Sequence, residues 1–236
     1  RYYLEADEFL RGTNWSKAVY WTNADRLDAP EPVDRYPGGS GDAPQLYSLN
    51  AVAYESLMIG MHYIHRGPKN EVCDKGKFPK LIDLELGFSR DGFHWDRPDR
   101  KPFIASTRTE GAWDRAYLHS TAGVMLVLDD QLVFPYMGTS GTAPSGKKGM
   151  YTGGSIGLAT LRRDGFASMD AGEKSGTLTT RPIRFKGGNL FVNFEAPQGE
   201  LRVEVLTLEG KTYGPYSAEN CIPLRGGSTK QRVTWK

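Results

Sequence analysis

The chain has 236 residues, 39% of them hydrophobic and 11% aromatic, enough to build one large domain or one domain with a smaller companion. With 30 basic against 28 acidic residues the net charge is +2, and no long basic run occurs, so the charge pattern of a nucleic-acid binder and that of a disordered chain are both missing. No apolar run approaches the ~20 residues of a membrane-spanning helix, and two cysteines, Cys73 and Cys221, are too few for a disulfide framework or a zinc site and read as unpaired thiols.

Helical patterning is scarce. Prolines (14) and glycines (28) punctuate short β-branched and aromatic runs, the signature of an all-β chain with closely spaced turns. Arg1–Ala6 reads as the middle of a strand rather than a signal peptide, so the compartment stays open between periplasm, exterior and cytoplasm. A second strand is expected over Ala18–Thr22, followed by a Pro-, Gly- and Asp-rich connection over 30–45. Leu46–Ile64 is the most apolar inner segment, and its Val, Ile and Tyr residues between Pro/Gly flanks fit two buried strands better than a helix. A polar loop over 66–80 leads into a strand over Lys80–Phe88.

Trp113–Ser120 precedes a hairpin of Gly123–Leu128 and Leu132–Met137, turned by Asp129-Asp130-Gln131. The segment 139–154 has the small, polar composition of a mobile loop, and Ser155–Leu161 returns as a strand. After a polar linker at 168–176, strands are expected over Leu190–Glu195, Leu201–Leu206 and Arg232–Trp235, with Pro197–Glu200 as the turn between the first two.

One pattern recurs. Trp21–Asp25, Phe88–Gly92 and Leu161–Gly165 each follow a strand and carry an aspartate at the turn, and these aspartates stand 66 and 73 positions apart (25 to 91, 91 to 164). Within Ser89–Trp95, Asp91 can accept hydrogen bonds from its own turn and Gly92 can take a positive φ, so recurrence makes the aspartates turn residues rather than catalytic ones. A unit of this length made of short strands fits a propeller blade of four strands. The expected organisation is an all-β chain. Residues 1–168 would form about two and a half β-propeller blades, the amino-terminal blades lying before Arg1, and 177–236 a small carboxy-terminal β-sandwich that ends on a strand whose partner lies elsewhere.

Four stretches, Leu46–Gly60, Leu86–Trp95, Trp113–Ser120 and Ile156–Gly172, together resemble the five-bladed β-propeller glycosidases of the invertase, levansucrase and arabinanase/xylosidase types (families 32, 43 and 68). In particular they are similar to bacterial proteins described as carrying a family 32-like amino-terminal domain. The resemblance implies a glycoside hydrolase acting on a plant or algal glycan, with carboxylates from separate blades meeting in an axial funnel and no cofactor. Of those carboxylates only the Glu acid has a counterpart, Glu55 of Tyr54-Glu55. The early Trp-Met-Asn-Asp-Pro-Asn-Gly-like motif and the Arg-Asp-Pro motif are missing; they lie upstream of Arg1 or this branch lacks them. The implied partners are a carbohydrate and an upstream segment or companion chain that completes the propeller, with neither nucleic acid nor membrane.

Glu55 stands among Val52, Ala53, Leu57 and Met58, where burial would raise its pKa and suit a general acid; a carboxylate paired with an arginine is the structural alternative. By the repeat, Tyr117–Ser120 occupies the level of Asn50–Glu55 one blade earlier. That makes Asn50, Tyr54, Asp114, Tyr117 and His119 candidate substrate-binding residues: His119 as a donor to a sugar hydroxyl, Tyr117 as a stacking platform. An ion pair of Asp114 with Arg115 between blades is the alternative for those two. Trp15, Trp21, Trp95 and Trp113 read as packing aromatics. His62 and His65 lack a third metal ligand, and Asp28, Asp34 and Asp42, read as exposed, lack calcium-loop spacing. A non-catalytic glycan-binding propeller that keeps the funnel but has lost the carboxylates, and a purely structural or interaction module of a larger assembly, are the other readings.

Overall fold

The structure, a computed structural model, describes residues 1–8, 10–39, 41–121 and 123–236. Among these residues it is almost entirely β, as expected, with 13 strands and one short helix. The chain divides into two compact units, one of Arg1–Leu126 with Val133–Thr160, the other of Val127–Leu132 with Leu161–Lys236.

The first unit is built on β5 (Gln45–Tyr54), β6 (Leu57–Gly67) and β7 (Leu81–Ser89), an antiparallel sheet in that order. The apolar segment therefore forms two strands and not a helix. β6 is buried along most of its length, including Met61 and Ile64, while β5, at the edge, is mostly half-buried or exposed. A broken fourth strand follows the outer edge of β7: Phe88 exchanges two backbone hydrogen bonds of 2.8 Å with Asp96, and Leu84 is bridged to Ile104.

β8 (Ala116–Ser120), β9 (Leu126–Leu128), β10 (Gln131–Thr139) and β11 (Gly154–Arg162) form a second sheet, ordered β11-β10-β8 with β9 also on β10. Asp129 and Asp130 turn the expected hairpin, Asp129 at φ 47°. The 139–154 segment closes on itself through Gly141 N–H to Thr152 O, Ala143 N–H to Lys147 O and Gly149 N–H to Gly141 O. Four short strands precede these sheets: β1 (Tyr2–Tyr3) pairs with β4 (Val19–Tyr20), and β2 (Ala6–Glu8) with β3 (Thr13–Trp15). The loop at 66–80 holds a helix missed in the sequence, α1 (Asn70–Gly76), which buries Cys73 and ends at Lys77 with φ 58°.

The recurring turn has the anticipated chemistry. Asp91 Oδ1 accepts from the backbone of Phe93 and of His94, both at 2.8 Å, and Oδ2 meets His94 Nδ1 at 2.7 Å; His94 and these amides hold the Asp91 carboxyl well below the usual range. Asp25 likewise accepts from Leu27 N–H at 2.9 Å, and Asp164 sits in a turn at φ 58°. Trp21 and Trp95 both donate their indole N–H to Gly92 O, at 2.9 and 3.0 Å. Trp95 covers Gly60 and Trp113 covers Gly157, where a Cβ would come within 2.4 and 2.3 Å of the indoles. Trp15 is corrected: it is 51% exposed on its short strand and packs no core.

A buried ionic network ties residues 25–31 to the face of β6 and β7. Arg66 binds Asp83 (2.9 Å) and Glu85 (2.5 Å), Arg97 binds Glu85 and Asp28 (each 2.5 Å), Arg100 binds Asp25 and Asp28, and Arg108 binds Glu31 and Asp83. Asp28, expected at the surface, is buried; burial alone would raise its pKa, but Arg97 and Arg100 hold it low.

In the second unit β12 (Phe191–Leu201) pairs antiparallel with β13 (Leu224–Arg232). The turn expected at Pro197–Glu200 is corrected: these residues lie inside β12. Ala196 faces Gly226 and Leu201 faces Leu224, so five steps of β12 oppose two of β13, and the bulge absorbs Pro197, which has no N–H for the ladder. The strand expected over Leu201–Leu206 is only a bridge from Leu206 to Thr212; β13 ends at Arg232, and beyond it the strand expected to run on to Trp235 is reduced to a bridge between Cys221 and Trp235. A small core of Cys221, Leu224 and Val233 packs with Val192, Phe194, Leu201, Val203 and Trp235. Cys73 and Cys221 are both buried free thiols, Cys73 pushed up to about 11 by burial.

Candidate functional site

Three irregularities in the ladders decide which side chains meet. Between Leu46 and Ser48, two steps of β5 oppose the single step from Ile64 to Tyr63, so Tyr47 is an extra residue. On β8, three steps from Ala116 to His119 oppose two from Thr139 to Met137, and Tyr117 takes φ 55°, a conformation costly for an aromatic residue. On β6, Arg66 is extra between His65 and Gly67 and serves the ionic network. Bulges bend a strand and re-aim its side chains.

The first two bulges turn their tyrosines toward each other, with 3.0 Å between the hydroxyls of Tyr47 and Tyr117. Around this pair the inner edges of the two sheets join. Asn50 Nδ2 donates to Tyr63 OH (2.7 Å) and to Ser120 Oγ (3.3 Å), and Tyr63 OH lies 2.6 Å from Ser120 Oγ. The His119 ring sits 4.5 Å from that of Tyr117, 5.0 Å from Tyr63 and 5.7 Å from Tyr47.

Lys80, at the foot of β7 and only 2% exposed, brings its ammonium into the same cluster. Nζ stands 4.9, 5.3 and 5.6 Å from the ring centres of Tyr47, Tyr117 and Tyr151. Tyr151 is 60% exposed and forms the solvent side. His65, its ring 6.3 Å from Tyr47, also lines a cavity of about 160 Å³ with Asp42, Gln45 and Lys69.

Electrostatically the cluster is neutral apart from Lys80. Burial first, and Lys80 second, lower the pKa of His119 and of His65, so both imidazoles are neutral at pH 7. Burial and the Tyr47 hydroxyl raise Tyr117, and burial raises Tyr63, which keeps both phenols protonated. Among the described residues His119 Nε2 is buried and has no hydrogen-bond partner. The set can stack on a ring face, donate from phenol and imidazole, and offer one positive charge; it holds no carboxylate.

Of the six residues picked from the sequence, Asn50, Tyr117 and His119 come together here. The level assigned by the repeat shifts: Tyr117–Ser120 faces Tyr47–Asn50, not Asn50–Glu55. Tyr54 stands at the opposite end of β5, paired with Leu57. Glu55 is corrected in position: it is exposed, at φ 51°, in the two-residue turn Glu55-Ser56 that joins β5 to β6. The ladder closes at Tyr54 and Leu57, so the reversal falls on Glu55, which faces solvent rather than an apolar pocket. Asp114 is half-buried beside Gly138, outside the cluster, and near enough to Tyr136 to add to the effect of burial in raising that phenol.

The ion pair of Asp114 with Arg115 is absent among the described residues; the Arg115 guanidinium lies over the Tyr36 ring at 5.7 Å instead. Tyr47, Tyr63, Lys80, Ser120 and Tyr151 were missed. Lys80 left one trace, a cation directly before an apolar strand.

Comparison with protein-family models, with curated proteins and with solved structures finds no match in any of the three.

Proposed function

We propose that the cluster between β5 and β8 is a carbohydrate-binding site, and that the two sheets are successive blades of a β-propeller followed by a small β-sandwich. The observation that carries this reading is the convergence of Tyr47, Tyr117, Tyr151, His119 and Asn50 at the join of two inner edge strands. Tyrosine faces supply flat apolar area against a sugar ring, and phenol, amide and imidazole groups supply the directional hydrogen bonds that its hydroxyls need. A propeller takes four to eight blades, so the reading includes a partner, in the same chain or a companion one, that supplies the remaining blades.

Hydrolysis by Glu55 is the second reading, carried by the sequence resemblance. Five residue steps along the strand separate Asn50 from Glu55, about 17 Å at the rise of a strand, so Glu55 and His119 do not contact one sugar ring. Acid/base cleavage would need a second carboxylate about 5 to 9.5 Å from Glu55.

Calorimetric titration of the full chain with a panel of oligosaccharides tests the binding reading. Tyr151→Ala, a change at an exposed ring, is expected to weaken binding at least tenfold without altering the unfolding midpoint; unchanged binding would remove the cluster from the site. Release of reducing ends by the wild type, lost in Glu55→Gln at unchanged folding, would favour the hydrolase.

A further inference from the structure

The structure assigns a negatively charged sugar to this site: we infer that Lys80 is the counter-ion for a carboxylate or sulfate ester on the bound glycan, an inference that rests on the carbohydrate-binding reading. Lys80 is 2% exposed, yet among the described residues its ammonium has no hydrogen-bond or ion-pair partner. The same unit treats its buried arginines differently. Arg66 and Arg97 are each clasped by two carboxylates, and Arg108 by Glu31 and Asp83.

The Lys80 side chain is nearly withdrawn from water, with only the Nζ tip left open to solvent and no opposite charge beside it, a costly setting for an ammonium. Contacts with three aromatic faces offset part of this cost but leave the charge unmatched. The nearest polar groups do not neutralise it: the phenols of Tyr47 and Tyr117 bond to each other, and the two imidazoles stay uncharged.

The geometry suits an anion on a ring. The Tyr117 hydroxyl interacts with those of both Tyr47 and Tyr151, so of these three phenol protons two are used among themselves and one remains to donate. His119 Nε2, buried and without a partner among the described residues, offers a second polar group near the ammonium. Tyr151 leaves the ammonium a wall at the solvent side, against which the sugar ring would lie while its acidic substituent points inward. A neutral sugar would satisfy the hydroxyl contacts and leave the ammonium as it is. An acidic one would satisfy both.

The test uses the full chain and two matched probe sets. One is uronic-acid oligosaccharides (galacturonate, glucuronate and mannuronate) with their carboxyl-reduced forms; the other is sulfated galactan oligosaccharides with their desulfated forms. The expected result is at least tenfold tighter binding of one acidic set than of its neutral partner, a preference that shrinks as salt is raised. Which set shows the preference identifies the group as carboxylate or sulfate.

Lys80→Met, close in volume, is expected to abolish the preference while retaining the weaker neutral binding. Equal binding of acidic and neutral forms, or a preference that survives Lys80→Met, overturns the inference and leaves the carbohydrate site standing. Failure of every probe, charged or neutral, overturns both. Should Lys80→Met not fold, the wild-type ratio of acidic to neutral affinity and its salt dependence decide the matter.

Discussion

Tyr47 and Tyr117 meet hydroxyl to hydroxyl at 3.0 Å, and each stands on a bulge of its own strand. Neither tyrosine would be aimed at the other in a regular ladder. Two independent departures from regularity, one of them an aromatic residue held at positive φ, converge on a single hydrogen bond. Such local strain persists only where the surrounding packing enforces it, and here Lys80, His119 and Tyr151 supply that packing.

Removing either hydroxyl should therefore be felt once. Tyr47→Phe and Tyr117→Phe are each expected to cost about 1 kcal/mol of stability. The double variant should cost less than the sum, by about 0.5 to 1 kcal/mol, because the same bond is lost. Urea unfolding of the four proteins measures the cycle; strict additivity would mean that the hydroxyls do not interact in solution.

The ionic network predicts a graded response. Arg97, nearly inaccessible, bridges Asp28 and Glu85, so Arg97→Ala leaves Glu85 to Arg66 alone and Asp28 to the more exposed Arg100, and should destabilise by about 3 kcal/mol. Arg100 is one-fifth exposed, and Asp28, which it shares, keeps Arg97, so Arg100→Ala should cost about 1 kcal/mol or less. Equal losses in the two variants, read from urea midpoints, would contradict this division of roles.

His62 makes stability depend on pH. Burial, and then the nearby Arg97, push its pKa down to about 3 from the ordinary 6.5. Between those values the unfolded chain binds a proton that the folded one refuses. The contribution is thus intact above pH 6.5 and is lost as the pH falls toward about 3, by about 1.4 kcal/mol per unit. His65 and His119 act in the same direction. Unfolding free energies measured from pH 7 to 5 should fall, and His62→Leu should flatten the slope by about one proton. An unchanged slope would show that His62 is not held neutral.

Gly60 offers a packing test. A Cβ there would sit 2.4 Å from the Trp95 ring, with the strand on one side and the indole on the other. Gly60→Ala should cost about 1 to 3 kcal/mol in thermal or urea unfolding; a neutral effect would mean that Trp95 moves freely.

Much of this molecule was legible as pattern and little of it as place. The runs Leu46–Ile64 and Lys80–Phe88 announced β5, β6 and β7 because a buried strand needs apolar, β-branched residues whatever its neighbours. The aspartate turns were legible because their hydrogen bonds are local, Asp91 to Phe93 and His94. Glu55 was misplaced because a one-letter sequence does not show where a hairpin reverses, and Tyr54-Glu55-Ser56 lacks the Asn-Gly or Asp-Gly pair that would have marked the turn. Tyr47 and Lys80 stayed hidden for a different reason. Their meeting depends on two bulges and on the approach of β5 to β8, relations between residues some 30 to 70 positions apart that no local composition records. Pro197 misled in the opposite sense, since a proline inside a bulge looks the same in sequence as a proline in a turn.

The carbonyl of Gly92, which accepts the indole N–H of both Trp21 and Trp95, makes the recurring turn optically visible. Two of the chain's five tryptophans report on one oxygen atom. A rearrangement of the turn would change the polarity around both at once, whereas Trp113 and Trp235 sit on other partners. Emission from single-tryptophan variants would therefore follow the opening of this one corner separately from unfolding elsewhere, and Trp21 would signal the moment at which the amino-terminal strands let go of the sheet.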